Sequence, residues 1–409
     1  MLRRLLPALA SLAVAVAVGA ASAQAGPKLF VGFADDWLKR NPPAAVLAAR
    51  DLGATSFRIS LNWSYGQTTL SAADERTLDA AIPAAFGLRV VVTVVGAAAR
   101  FTPHTGSSRA AYCSYIRNVL DRYPTINDVI VWNEPNKTYA WKPQFDRKGA
   151  SLAPAEYETL LARCYDVLHS YRPEVNVLAP ATSPTGNDNY RAVSNISHSP
   201  GAFVRELGAA YRKSGRTEPI FDTVAHHMYG ATPSERPWRR HAGPMIAQGD
   251  WAKLVNAYKS AFAGTEQPVP GRCIGTKCVP IWYMEAGYQT SLDSDKKRLY
   301  RFTENIPRVV ADRSAGEADS ARPAPESPAP DQATQVRDGI RLAYCQPYVE
   351  AFFNYLLRDD ADLRGWQSGA LWRDGTRKDS FGAFRSAIAE AADGEVDCDR
   401  LKGGPAPKG

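Results

Sequence analysis

The sequence runs to 409 residues with a formal net charge of +7, and losing Arg3 and Arg4 with an amino-terminal leader takes that charge to +5. Lysines and arginines are scattered in short groups, as over 236–240 and 296–298, with no basic stripe interleaved with aromatics, which excludes nucleic acid as the expected partner. Beyond the leader no segment is apolar for long enough to span a bilayer, while the remaining length buries a large core and suits one barrel-sized domain over 26–401.

Met1-Leu2-Arg3-Arg4 precedes an apolar stretch reaching about Ala21, and both Ala21-Ser22-Ala23 and Ala23-Gln24-Ala25 fit the small-x-small cleavage rule. Residues 1–25 therefore read as a secretory signal peptide, and a secreted protein is expected. An uncleaved anchor fits less well, because Ala and Gly dilute the apolar run. Six cysteines in an exported chain point to disulfides. Cys273 and Cys278 close a tight loop. Cys113 and Cys164 sit on helical segments flanking the fourth strand, and Cys345 with Cys398 would tie the last two helices together. Six cysteines allow other pairings, so this is one scheme among several. A zinc site is the poorer reading, because the chain contains no CxxC pair.

Strand-like runs recur along the chain, over 29–33, 55–61, 88–95, 129–133, 175–179, 221–227, 279–284 and 365–372. Most are continuous apolar runs, as expected of strands covered on both faces. Helical patterns lie between them, over 43–52, 110–123, 154–171, 202–214, 251–262 and 332–357. Eight strands alternating with helices predict a (β/α)8 barrel, the TIM-barrel form of the α/β class. An open doubly wound sheet would want a Gly-rich turn after its first strand, and Gly32-Phe33-Ala34-Asp35-Asp36 is not one. The Pro/Ala-rich segment over 311–333 cannot build a core and reads as a solvated insertion on the catalytic face, with an active-site lid as the other reading. The tail over 402–409 reads as a frayed end.

Two carboxylates stand at strand tips. Val131-Trp132-Asn133-Glu134-Pro135-Asn136 ends the fourth strand, because Pro135 has no N–H for the ladder. Ile281-Trp282-Tyr283-Met284-Glu285-Ala286-Gly287 ends the seventh in the same way, at a turn glycine. Either carboxylate alone reads equally as a helix-capping charge. Two glutamates on one barrel face are what glycoside hydrolysis needs, one to protonate the leaving oxygen and one to attack the anomeric carbon or activate water.

With these motifs in view, the sequence resembles the clan of retaining β-glycosidases built on (β/α)8 barrels, which includes family 5 cellulases and mannanases and family 39 xylosidases. The resemblance covers nearly all of 26–401. It implies that Glu134, after Asn133, is the acid/base and that Glu285 is the nucleophile. It further implies substrate-binding roles for Arg58 on the second strand, Asn133, His227 and Tyr229 in the His-x-Tyr of the sixth strand, and Trp366 on the eighth. The Trp-Asn-Glu-Pro-Asn form is similar to family 39 in particular. Arg58 and the Tyr229 hydroxyl would favour the ionised nucleophile, Asn133 would meet the sugar 2-hydroxyl, and Trp366 would offer a flat face to a sugar ring. The chain departs from family 5 at the end of strand three, where a histidine is usual and Val94-Val95-Gly96-Ala97 stands instead. The resemblance implies no cofactor and no metal.

The expected function is a secreted retaining β-glycosidase acting as a monomer on a poly- or oligosaccharide. The rival is a non-catalytic carbohydrate-binding barrel. A metallohydrolase using Asp222, His226 and His227 is a third reading, weakened because adjacent strand residues point to opposite faces. Trp37, Trp63, Trp141 and Trp238 are candidate subsite walls, with Asn62 a further sugar contact. Asn62-Trp63-Ser64 and Asn136-Lys137-Thr138 match the glycosylation motif. Both follow strand tips facing the presumed site, so they are read as unmodified.

Overall fold

The computed structural model describes residues 29–401 apart from 234, 291, 293, 294 and 304–330. The leader over 1–25, nearly all of the Pro/Ala-rich segment and the tail over 402–409 lie outside the described residues. Eight strands close in sequence order into an all-parallel barrel: β1 (Phe30–Ala34), β2 (Ser56–Trp63), β3 (Arg89–Gly96), β4 (Asp128–Val131), β5 (Asn176–Thr182), β6 (Thr223–His227), β7 (Ile281–Ala286) and β8 (Val349–Tyr355). Around them run α1 (Trp37–Arg40), α2 (Pro42–Asp51), α3 (Ala72–Ala84), α4 (Gly106–Arg122), α5 (Ala153–Tyr171), α6 (Pro200–Ser214), α7 (Trp251–Ala261), α8 (Gln332–Cys345) and α9 (Phe381–Asp393).

The barrel interior is a packed plug of Ala34, Val91, Ile130, Leu178, Ala225, Trp282, Met284 and Phe353. A larger apolar layer fills the space between strands and helices, so both faces of each strand are buried and the runs read as continuous. Gly32 is required on β1, because a Cβ there would stand 2.6 Å from the Ser56 carbonyl and 2.7 Å from the Phe353 ring. The three expected disulfides are present: Cys113–Cys164 joins α4 to α5 across the entry to and exit from β4, Cys273–Cys278 closes its loop, and Cys345–Cys398 ties the end of α8 to the segment after α9.

The eighth strand differs from the expectation. It is Val349–Tyr355, not 365–372, and the long helix expected over 332–357 is split into α8 and β8. Pro347 cannot continue the helix, and the run Val349-Glu350-Ala351-Phe352-Phe353-Asn354-Tyr355 is rich in the aromatic side chains that pack on a pleated surface. Residues 365–372 fold back as a loop over the carboxyl end of β8, where Asn354 Nδ2 donates to the Ser368 carbonyl at 2.9 Å. A buried ion pair holds this loop: Lys378 Nζ lies 2.8 Å from Asp359 Oδ1, and both side chains are almost fully shielded. Tyr300 donates to the other Asp359 oxygen at 2.7 Å, and Lys378 donates to the Gln367 carbonyl at 2.8 Å. Helix α8 starts at Gln332 behind the N-cap Asp331, so the Pro/Ala-rich segment ends slightly before 333. Helix α3 was not anticipated. It buries only Leu78 and Ala81 and contains Pro83, which leaves almost no apolar periodicity to read.

Candidate active site

The two glutamates are placed by their strands' ends. After β4 the chain leaves the ladder through two residues in the left-handed region, Trp132 at φ 69° and Glu134 at φ 45°. Such conformations cost roughly 1–3 kcal/mol each and persist only where the surroundings over-determine them. Here they do. The Trp132 N–H donates to the Val94 carbonyl at 3.0 Å and its indole is fully buried, donating to the Ala140 carbonyl at 3.1 Å. The Glu134 N–H donates to the Ala181 carbonyl at 3.0 Å. Two tyrosines on α4 and α5 complete the turn, Tyr112 donating to the Val94 carbonyl and Tyr157 to the Val131 carbonyl, each at 2.6 Å. Burial pushes both phenols well above 10, so they remain donors at any working pH.

On the opposite wall, β6 pairs with β7 through a bulge that sets His227 beside Glu285. His227 is fully buried, with Nδ1 2.7 Å from Glu134 Oε1 and 3.4 Å from Glu285 Oε2, so it stands between the two carboxylates. Arg58 rises from β2 and is 4% exposed. Its guanidinium pairs with Glu285, donates to Asn133 Oδ1 at 2.6 Å, and donates through Nε to Thr93 Oγ1 at 2.7 Å. Tyr229 donates its hydroxyl to Glu285 Oε2 at 2.9 Å. Burial pushes the Glu285 carboxyl up, but the positive fields of His227 and Arg58 and the hydrogen bonds from Arg58 and Tyr229 outweigh it and hold the group below the ordinary 4.5. Burial pushes the Tyr229 phenol well above 10, so it stays a donor to that carboxylate.

Trp366 is on the loop after β8 rather than on a strand, yet its ring reaches the site, with its centroid 4.6 Å from Tyr229 and 6.0 Å from Tyr355. All seven expected residues thus gather at the carboxyl ends of the strands. Tyr355, at the end of β8, joins them and was missed with the strand that carries it. Thr93, which steers Arg58, was also missed, because a single threonine inside an apolar strand carries no local signal.

The expected subsite tryptophans are corrected. Trp63 and Trp141 are fully buried and Trp37 is 4% exposed, so these three rings pack the wall and offer no face to a sugar. Trp63 packs on Tyr112, and Trp141 on Trp132. Trp238 is half-buried and Asn62 is exposed. Asn136 is fully buried, with Nδ2 donating to the Ser183 and His198 carbonyls, which excludes a glycan there. At the end of β3, Gly96 packs directly beneath Trp132, where an added Cβ would stand 2.7 Å from the ring. Asp222, His226 and His227 do not converge: His226 bonds Thr182 and the Ile246 carbonyl, while Asp222 accepts from Val177 and Tyr165. Glu134, His227 and Glu285 do present ligand atoms within 4.8 Å of one another. The Arg58 charge already pairs with Glu285 and opposes a cation at that point. A cavity of about 900 Å³ between α6 and α7, lined by Phe145, His198, Arg205 and Lys253, includes none of the site residues.

The loop between β6 and α7 continues from Tyr229 and is braced by His241. Its Nδ1 lies 2.7 Å from Asp250 Oδ2 and its Nε2 3.2 Å from Glu235. Burial pushes the imidazole down, but the bonds with Asp250 and Glu235 outweigh it and raise the group from 6.5 to about 9. A raised folded-state value means stabilisation that is complete below pH 6.5 and lost as pH rises through about 9. Thermal stability is therefore expected to fall across that interval, and His241→Gln to flatten the slope in a calorimetric pH series.

The eight-stranded parallel barrel thus carries one carboxylate just past β4 and another near the end of β7. No family model matches the sequence, and no curated protein does. Among solved structures, the GH39 enzyme from Xanthomonas axonopodis pv. citri superposes with a TM-score of 0.52 at 17% identity, over 88% of this chain and 66% of that one. A monomeric β-xylosidase from Caulobacter crescentus gives 0.52 at 17% identity, over 88% and 67%. The GH5_18 protein from Streptomyces cattleya, in complex with GlcNAc, gives 0.56 at 16% identity, over 93% and 83%. The chain spans about two thirds of the length of the first two. At these identities the likeness is one of fold, and the fold is the one the sequence resemblance implies.

Proposed function

We propose that the protein is a retaining β-glycosidase that cleaves O-glycosidic bonds of a poly- or oligosaccharide. The observation that carries this reading is the approach of an oxygen of Glu134 to within 4.8 Å of an oxygen of Glu285. Retaining enzymes hold their carboxyl groups about 5–5.5 Å apart, and inverting enzymes need roughly 6.5–9.5 Å to admit a water. In this mechanism Glu134 protonates the departing oxygen while Glu285 attacks the anomeric carbon. The bond to the aglycone breaks, a glycosyl ester forms on Glu285, and Glu134 then takes a proton from the water that hydrolyses it. Arg58 and Tyr229 keep Glu285 anionic for the attack. Asn133, with Oδ1 taken by Arg58, has Nδ2 to donate to the sugar 2-hydroxyl. His227 fixes Glu134, and Trp366 with Tyr355 forms the apolar wall for a sugar ring.

Three disulfides support export to an oxidising compartment. Among the described residues no helix is long and apolar enough to cross a membrane. The test is a panel of nitrophenyl β-glycosides that includes the xyloside and the N-acetylglucosaminide, since a β-xylosidase and a protein complexed with GlcNAc share the fold. Turnover whose first-formed sugar is the β-anomer by NMR is expected. Sugar binding without turnover would favour the non-catalytic barrel, and a first-formed α-anomer would contradict retention.

A further inference from the structure

Beside the Trp366 wall stands a set of charges that the proposed mechanism does not use. Arg358, just past β8, lays its guanidinium over the Trp37 ring at 4.3 Å. Arg373, at the far end of the same loop, uses its backbone N–H on the Tyr300 hydroxyl at 3.2 Å. Among the described residues neither guanidinium has a hydrogen-bond or ion-pair partner, although both side chains are half-buried. Arg40, on α1, adds a third guanidinium, which is exposed and pairs with Asp35 Oδ1 at 3.4 Å. The three are close enough that Arg358 feels the charges of Arg373 and Arg40, and burial with those charges lowers it.

The carboxylates nearby do not balance them. Asp35 is buried, and its oxygens accept from the backbone N–H groups of Trp37, Leu357 and Arg358 at 2.7, 3.0 and 3.1 Å. Burial pushes Asp35 up to about 6. Asp360 accepts from the Trp366 N–H at 3.4 Å, and burial pushes it up as well. Two half-buried guanidiniums and the exposed Arg40, which pairs with Asp35, therefore stand beside two carboxylates that burial pushes up. Arg is the side chain whose planar fork matches carboxylate and sulfate oxygens in pairs. The contact of Asp360 with Trp366, and of Trp366 with Tyr229, ties this cluster to the wall of the glutamate site.

We infer that Arg40, Arg358 and Arg373 form an anion subsite beside Trp366, and that the glycan bound there carries a carboxylate or sulfate substituent. This rests on the glycosidase reading and narrows its substrate class to acidic saccharides. The experiment compares xylo- and cello-oligosaccharides with their glucuronic-acid-substituted and sulfate-ester counterparts. Wild-type kcat/KM is expected to be at least about tenfold higher for one of the acidic sets, the scale of one charge-assisted pairing. In R373Q, and in R358Q/R373Q, that ratio is expected to collapse toward one through a rise in KM. R373Q leaves the Trp37 stacking intact, so it separates lost binding from lost folding. The carboxylate and sulfate arms decide which anion is preferred. Equal rates on neutral and acidic sets, or an unchanged ratio in both variants, would overturn the anion subsite while leaving the glycosidase reading standing. If no probe is turned over, calorimetry of the acidic oligosaccharides against wild type and R373Q tests the subsite alone. Binding weakened about tenfold in the variant supports it, and equal or absent binding overturns it.

Discussion

Replacing Glu285 with alanine is expected to lower kcat by at least about 10⁴-fold, the scale on which hydrolases lose a catalytic nucleophile. In the proposed mechanism that carboxylate supplies the atom that forms the glycosyl ester. The space it leaves is lined by the donors of Arg58 and Tyr229, which suit a small anion. Azide is therefore expected to restore part of the activity and to appear in the product as a glycosyl azide of inverted configuration. The same neighbours set the acid limb of the pH profile. Because His227, Arg58 and Tyr229 hold Glu285 below 4.5, the limb in kcat/KM is expected below pH 4.5. A depressed carboxylate also contributes stability that is present above 4.5 and lost as pH falls through its folded-state value. Arg58→Met is expected to move the kinetic limb upward. A limb that stays in place would show that another group controls it.

The second large effect belongs to Glu134. In Glu134→Gln the leaving oxygen receives no proton, and kcat/KM for alkyl glycosides or oligosaccharides is expected to fall roughly 10²–10⁴-fold. A dinitrophenyl glycoside needs no protonation to depart, so its first step is expected to survive nearly intact. A burst of dinitrophenolate followed by slow turnover is the signature, because the proposed mechanism also assigns the later deprotonation of water to Glu134. Equal losses on good and poor leaving groups would assign Glu134 to positioning instead. Comparing His227→Ala with Glu134→Gln separates the acid from its anchor, since Glu134 Oε1 is held only 2.7 Å from His227 Nδ1.

What could be read from the sequence follows from where the signal is local. Glu134 and Glu285 are each set at the end of a continuous apolar run and followed by Pro135 or Gly287, so strand and stop can be read within a few residues. His227 and Tyr229 share one strand end, and the short spacing carries the pattern. The eighth strand had no such frame. Val349–Tyr355 follows Pro347 closely, and its aromatics suit a helix face as well as a pleated strand. Placing the strand at 365–372 still kept Trp366 near the site, because the loop folds back over the true strand end, but it concealed Tyr355. The tryptophans mark a different limit. Trp37, Trp63 and Trp141 have the composition of a sugar platform, and only the packing of Tyr112, Trp132 and Arg358 against them shows that their faces are taken. The Asp359–Lys378 pair and the arginine cluster join residues far apart in the chain, so no spacing rule announces them.

In the proposed mechanism Glu285 carries the sugar through a covalent intermediate while Glu134 serves the leaving group. Incubation with an activated 2-deoxy-2-fluoro-β-glycoside, followed by proteolysis and mass spectrometry, tests it most directly. One glycosyl adduct is expected, on the peptide containing Glu285, absent from Glu285→Ala and still formed in Glu134→Gln. An adduct on Glu134, or steady turnover of the parent glycoside with no adduct on either glutamate, would contradict it.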